Sequence, residues 1–343
     1  MHMADALISP VAGGAMWAVT AGLTVYAANR VKQEPDEQKI PLMGVLGAFV
    51  FAAQMINFTI PGTGSSGHIG GGLLLAILLG PHAAFLTIAS ILAVQALLFA
   101  DGGLLALGCN IFNMGFIPCY IAYPFIYQPL AGSSPSPGRL TRGSVAAAVI
   151  SLQLGAFSVV LQTLVSGITE LPFSAFALLM QPIHLAIGLI EGLVIAAVVG
   201  FVYRQSPDIL AGNDRPLATA PARKVLLVLL ILTVVAAGAL SWFASVNPDG
   251  LEWSITATSG LEELTATNAV HGYLAEVQQT IAFLPDYNFK PGDVVAEPAA
   301  VQPEQTAWPS VDAGKSVAGI TGSLITLILA LTIGKVLRLA AKH

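Results

Sequence analysis

Apolar runs, each about the length of a bilayer crossing, recur along this chain and constrain it more than any other feature. A hydrocarbon core about 30 Å thick is spanned by about 20 residues of helix. Lipid offers no partner to an unpaired backbone N–H or C=O, so such runs become helices packed as a bundle. Val11 to Asn29, Ile40 to Ile60, Cys109 to Leu130, Val145 to Ile168, Phe173 to Tyr203, Val225 to Ala244 and Val317 to Leu339 each predict one crossing. The stretch from Ile69 to Ala100 is too long for one upright helix and is broken at Gly80-Pro81, which predicts two crossings, the first short. The expected fold is an all-α integral membrane protein of about nine transmembrane helices. Composition agrees, because only 10% of the 343 residues are charged where a soluble protein carries about a quarter.

Charge placement tests the count, since Lys and Arg collect in cytoplasmic loops. With the N-terminus outside, nine crossings put 12 of the 14 basic residues inside and leave only Lys290 and Lys315 outside. Fusing Ile69 to Ala100 into one crossing reverses every later loop. The expected placement is therefore a multi-pass protein of the inner or plasma membrane, N-terminus outside and C-terminus cytoplasmic. Residues 1–203 form a seven-helix membrane domain, residues 204–224 a cytoplasmic linker with Pro207, Gly212, Pro216 and Pro221, and residues 225–343 a two-helix module. The outer loop of that module, 246–315, holds ten carboxylates against two lysines. Pro291-Gly292, Pro298, Pro303 and Pro309 predict irregular chain there, and Glu262 to Phe283 predicts a helix. The basic residues form no stripe, which excludes a nucleic-acid partner. Cys109 and Cys119 lack CxxC spacing and read as packing residues.

The first residues carry chemistry of their own. The chain opens Met1-His2-Met3-Ala4-Asp5 with no basic leader before the apolar run, which argues against a cleaved signal and for a free Met1 amine. That amine, the deprotonated amide nitrogen of His2 and the His2 imidazole can close two fused chelate rings around one ion. A fourth in-plane nitrogen completes a square-planar set, which suits Ni²⁺ or Cu²⁺ better than tetrahedral Zn²⁺. Ser65-Ser66-Gly67-His68-Ile69-Gly70, placed on the same side of the membrane by the topology above, supplies one in His68. Ser65 and Ser66 are candidates to hydrogen-bond the ring nitrogen that the metal leaves free, and Gln54 and Asn57 lie close enough before the loop to support it.

The order of these motifs is similar to a known family. The opening M-H-x-x-D, then SGHIGGGLLLAILLGPHAAFL, then VQALLFADGGLLALGCNIFNMGF resemble the substrate-binding membrane component of nickel and cobalt energy-coupling-factor transporters, the NikM/CbiM family, over about Met1 to Tyr203. Asn247 to Ser254, N-P-D-G-L-E-W-S, resembles the PDGLE segment of the small NikN-type subunit, so the chain looks like a NikMN fusion. The resemblance implies that Met1, His2 and His68 hold the ion and that Asn110 and Asn113 line or brace the site, their alternative being interhelical hydrogen bonds. It also implies a non-enzymatic subunit with no catalytic cofactor, whose bound ion is its cargo, driven by a transmembrane coupling subunit and two cytoplasmic ATPase subunits. Ala6-Leu7-Ile8 stands where relatives carry a glycine-containing turn. Gly314-Lys315-Ser316 is no phosphate loop, because Pro309 occupies the place of its first glycine. Gly14, Ala18 and Gly22 form a small-residue ridge on the first helix that fits either internal packing or the coupling subunit.

Other polar residues have plainer expectations. Glu191, alone in the middle of its span, is expected to be protonated, paired with His184 seven residues earlier, or on an ion path. Gln95, Gln153 and Gln162 read as interhelical glue, His82 as a boundary residue, His271 as a solvated loop residue and His343 as irrelevant. Two rival functions remain. A proton-coupled secondary metal transporter would need Glu191 as its relay, and a membrane metalloenzyme would need an open metal position with a general base nearby.

Overall fold

The computed structural model describes residues 2–33, 39–132, 135–210, 219–261, 264, 268–290 and 308–341. Met1, Glu262, Glu263, the linker residues 211–218, the proline-rich stretch 291–307 and His343 lie outside the described residues. In chain order the helices are α1 (Pro10–Gln33), α2 (Lys39–Gln54), α3 (Gly72–Leu79) and α4 (Pro81–Leu98). They continue with α5 (Leu107–Ala131), α6 (Pro137–Ser166), α7 (Phe173–Gln205) and α8 (Thr219–Gly238). Then come α9 (Gly250–Ser259), α10 (Ala269–Ile281) and α11 (Ala313–Ala341). Among the described residues α1, α4 to α8 and α11 are long and apolar enough to cross a bilayer.

The second helix is shorter than the apolar run that encodes it. It stops at Gln54, and Phe58–Ile60 leaves the helix to pair antiparallel with Ser65–Gly67, Thr59 opposite Ser66. Hydropathy cannot separate a helix end from a short buried strand, and Phe58 and Ile60 satisfy both. The next helix, α3, has eight residues and a length of about 12 Å, too little to cross alone. Even so, Gly80 and Pro81 at its far end share a cavity with Lys32, Lys39 and Arg338, remote from the hairpin. The chain therefore changes ends of the bundle between Gln54 and Gly80 by a hairpin set into the bundle followed by a half-length helix. Gly80, at φ +81°, makes the break, and Pro81 starts α4, which runs back 18 residues, about 27 Å.

The central part of α5, Phe112–Tyr127, is wound in wide π turns around Pro118 and Pro124, whose missing N–H groups cannot support ordinary helical bonding. The longest contact in the fold runs between α6 and α7. From the C-terminal module, α11 packs on α2, α4 and α1, and α8 packs on α2 and α11. Ser316 ties the ends of α8 and α11 together, donating to Gly238 O at 2.8 Å and accepting from Trp242 Nε1 at 2.8 Å. Gly314-Lys315-Ser316 opens α11, with Asp312 Oδ1 accepting from the Gly314 N–H at 2.7 Å. The helix expected over Glu262 to Phe283 is the shorter α10, and α9 is an additional one, started by Asp249 and Glu252 as a reciprocal capping box. The small-residue ridge does not pack internally: Gly14, Ala18 and Gly22 are exposed, and nothing lies within 4 Å of a side chain placed at Gly14 or Gly22.

Candidate metal centre

The amino-terminal arm folds down into the bundle instead of trailing from α1. Met3 is wholly buried, its N–H donates to Asn110 Oδ1 at 2.8 Å, and its carbonyl accepts from Asn110 Nδ2 at 3.2 Å and Gly103 N at 2.9 Å. Asn110 thus does for Met3 what a neighbouring strand would do. Asn113 lies beneath, 3.7 Å from Met3 Sδ, and exchanges two amide bonds with Gln162. Asp5 anchors the next turn by accepting from Ala106 N at 2.9 Å, and burial pushes its carboxyl pKa up. Gly103 has to be glycine, since a Cβ there would overlap the Asp5 carboxylate and backbone N. Ala6-Leu7-Ile8 needs no glycine, because Asp5–Leu7 is a single 3₁₀ turn that buries Leu7 and Ile8.

A chain of side-chain amides fixes which nitrogen of His2 is free. Gly70 O can only accept, so Gln54 presents its NH₂ to it, at 2.8 Å. Gln54 Oε1 then accepts from Gln95 Nε2 at 2.9 Å, which turns Gln95 Oε1 toward His2 Nε2 at 3.1 Å. His2 Nε2 accordingly carries the proton, and Nδ1, the nitrogen that closes a chelate ring with the backbone, keeps its lone pair. Asp101 Oδ1 faces that lone pair at 3.5 Å. Two electron-rich atoms so placed need a proton or a cation between them.

His68 follows the second hairpin strand and is likewise oriented by a hydrogen bond. Its Nδ1 donates to Ile69 O at 3.0 Å, leaving Nε2 bare, and burial pushes its pKa down to about 4, so the ring is neutral at pH 7. The His2 and His68 rings stack with centroids 5.2 Å apart and planes at 25°. An imidazole centroid lies about 3 Å from a metal it ligates, so one ion is within reach of both. Among the described residues no group of three or more His, Cys, Asp or Glu side chains can hold an ion. The amino-terminal chelate expected from the sequence draws two of its donors from the backbone. Met1, whose amine is expected to open that chelate, lies outside the described residues.

Several expectations need correction. Ser65 and Ser66 do not support the imidazole: Ser65 Oγ meets Thr63 Oγ1, and Ser66 Oγ donates to Asn247 O at 2.8 Å and Pro248 O at 3.2 Å. Asn57 contributes its carbonyl, which accepts from Ser245 N at 2.8 Å. Both contacts bring the C-terminal module onto the metal loop, where Ser66 bridges to Asp249 and the Ser66 N–H donates to Pro248 O at 2.8 Å. Glu191 is not paired with His184. Its carboxylate accepts from Gly70 N at 2.8 Å and Gly71 N at 3.0 Å, while His184 Nδ1 donates to Met180 O at 2.8 Å. His271 is buried, not solvated, and bonds Ile8 O at 2.8 Å. His82 bonds Tyr120 Oη, and Cys109 and Cys119 are buried free thiols. Gln95, read from sequence as interhelical glue, bonds His2, and Asp101 beside His2 and Asp249 beside His68 were not singled out by the sequence reading. Asp101 sits in the quoted LFADGG motif and Asp249 in the PDGLE segment, so position in the motif was the available signal.

A multi-pass bundle of apolar helices that stacks the His2 and His68 rings, with Asp101 beside His2, is the arrangement of a membrane protein of the transition-metal transport class. Residues 2–209 match the family described as cobalt uptake substrate-specific transmembrane region (CbiM), and residues 223–339 match the PDGLE domain. The chain belongs to the CbiM family, with a PDGLE domain joined to it. It is 29% identical over 343 residues to a putative fused nickel transport protein NikMN of Archaeoglobus fulgidus, covering 99% of this chain and 100% of that one. It is 29% identical to the fused nickel transport protein NikMN of Rhodobacter capsulatus, covering 69% and 74%. A crystal structure of a truncated transition metal transporter superposes with a TM-score of 0.53 at 28% identity, covering 60% of this chain and 99% of the other. The relatives are named as transport proteins, and this chain is a transporter component, not an enzyme.

Proposed function

We propose that this chain is the substrate-specificity component of an energy-coupling-factor importer. It captures Ni²⁺, and less readily Co²⁺, from outside and delivers it inward when driven by a separate coupling subunit and two ATPase subunits. The observation that carries the reading is the pairing of His2 Nδ1 and His68 Nε2, two imidazole nitrogens left bare by fixed hydrogen bonds on stacked rings 5.2 Å apart. Where Met1 is the first residue of the mature chain, its amine and the His2 amide nitrogen complete a planar four-nitrogen set. That set favours nickel over cobalt, which prefers more ligands in a less planar array. The exposed Gly14, Ala18 and Gly22 face of α1 is the surface offered to the coupling subunit, with the N-terminus outside and the C-terminus cytoplasmic.

A proton-coupled transporter has less support. Glu191, its relay candidate, has both carboxylate oxygens committed to the Gly70 and Gly71 N–H groups. The test is a calorimetric and visible-absorption titration of purified protein with NiCl₂, beside a version carrying one extra N-terminal residue. A square-planar d–d band lost on extension and in His68→Ala is the expected result. An unchanged band in the extended protein would remove the amino-terminal chelate.

A further inference from the structure

His184 is a third well-oriented imidazole, one that the proposed chelate does not use. It is buried in α7, its Nδ1–H is committed to Met180 O at 2.8 Å, and its Nε2 has no hydrogen-bond partner. A buried acceptor without a partner is a costly feature to retain. It lies on a cavity that also touches His68, Gly70 and Asp249 and has room for about one water molecule. Gly250 roofs it: a Cβ there would meet His184 Cε1 at 3.4 Å and Ile183 Cγ2 at 2.5 Å, so the start of α9 approaches the ring only as glycine. The cavity thus lies between the loop of His68 and the PDGLE segment.

We infer that His184 Nε2 is a second coordination stop for the transported ion, shared with His68, which the ion occupies after leaving the amino-terminal chelate. This rests on the proposed function above. A planar set of four nitrogens holds nickel too firmly to release in one step, whereas a shared ligand lets bonds exchange one at a time. His68 stays bound while the bond to His184 Nε2 forms. The bonds to the Met1 amine, the His2 amide nitrogen and His2 Nδ1 break in turn, and water returns the proton of the amide. Two imidazoles, completed by water, hold the ion more weakly than the chelate, as a release stop requires.

NiCl₂ titrations of the full chain in four forms test this: native, His184→Gln, extended by one N-terminal residue, and extended with His184→Gln. The native form and His184→Gln are expected to show the same planar band with affinities within about threefold, which also shows that the variant folds. The extended form is expected to keep a second, non-planar Ni²⁺ site weaker by about 100-fold, and that site is lost in the extended His184→Gln form. Residual binding that is absent, or indifferent to His184, overturns the stop while leaving the chelate intact. Loss of the planar band from both His184→Gln and His184→Asn overturns it too, because the residue then belongs to the first site or its frame. Persistence of the planar band in the extended form is a different result: it defeats the chelate reading itself and the handoff with it.

Discussion

The two arms that bring histidines to the centre are held by different parts of the chain. Residues 2–8 are gripped by side chains of the first module, with Asn110 on Met3, Gln95 on His2 and Asp5 on Ala106, plus one bond from His271 of the second module. Residues 65–71 are held by backbone pairing at Ser65–Gly67, with Phe58–Ile60 and Pro248, and by the buried Glu191 carboxylate and Gln54 amide at Gly70 and Gly71. The amino-terminal arm is a strap closed by replaceable side-chain bonds, and the His68 arm is a fixed floor. On the proposed function, binding of an ion that needs both His2 and His68 is sensitive to loss of either arm.

That contrast ranks the expected effects. The largest belongs to the ligand of the floor: His68→Ala removes a donor outright, and its Ni²⁺ affinity should fall by more than the ~10–100-fold typical of lost supporting residues. Equilibrium titration checks it, and a fall smaller than tenfold would remove His68 from the ion. Next comes Glu191→Gln, which turns an NH₂ toward a backbone N–H that had a carboxylate oxygen. It should weaken Ni²⁺ binding by about 10–100-fold and speed amide exchange at Gly70 and Gly71. If instead binding is untouched and exchange alone changes, the floor is not needed for the metal.

The strap should be more forgiving. Gln95→Leu cuts the relay that fixes the His2 tautomer, so an affinity loss of about tenfold is expected, together with a less planar absorption band. Its partner test is pH. His68 has a pKa lowered by burial to about 4, from the ordinary 6.5, so the unfolded chain binds the additional proton between those values. Stability of the metal-free protein therefore rises with pH across that window and is lost as pH falls from about 6.5 toward 4. In His68→Phe the slope of denaturation midpoint against pH over this range should flatten. An unchanged slope would mean that His68 is not the buried base.

Much of the bundle was legible because lipid is a strict solvent. Apolar runs and the Gly80-Pro81 break locate most helices within a few residues, and the Met1-His2 and SGH patterns single out the two histidines whose rings stack. What stayed hidden depends on pairings far apart in sequence. Glu191 serves amides some 120 positions away, and no local pattern distinguishes that from a bond to His184 seven residues off. Ser66 belongs to Pro248 across a similar gap, so a serine beside His68 was read as its partner. His271 looked solvated because its acidic surroundings hid the one carbonyl, Ile8 O, that buries it. The α2 run failed for a different reason, since the residues of its last turn make a helix and a strand equally well by hydropathy.

The smallest expected effect lies farthest from both arms. Gly14→Leu adds a side chain where nothing stands within 4 Å, on a face of α1 that already exposes Val11 at 83% and Val25 at 61%. Thermal stability of the purified protein should stay within about 0.5 kcal/mol of native and the Ni²⁺ titration should not move, because neither the strap nor the floor touches this face. Uptake of Ni²⁺ in cells that supply the coupling and ATPase subunits should nevertheless fall, since a bulky side chain prevents the close helix approach that small residues permit. Unchanged uptake would make the face lipid-exposed surface only. Altered metal binding would show that α1 itself transmits strain to the strap through Ser9, which bonds Ser166 at the head of the helix.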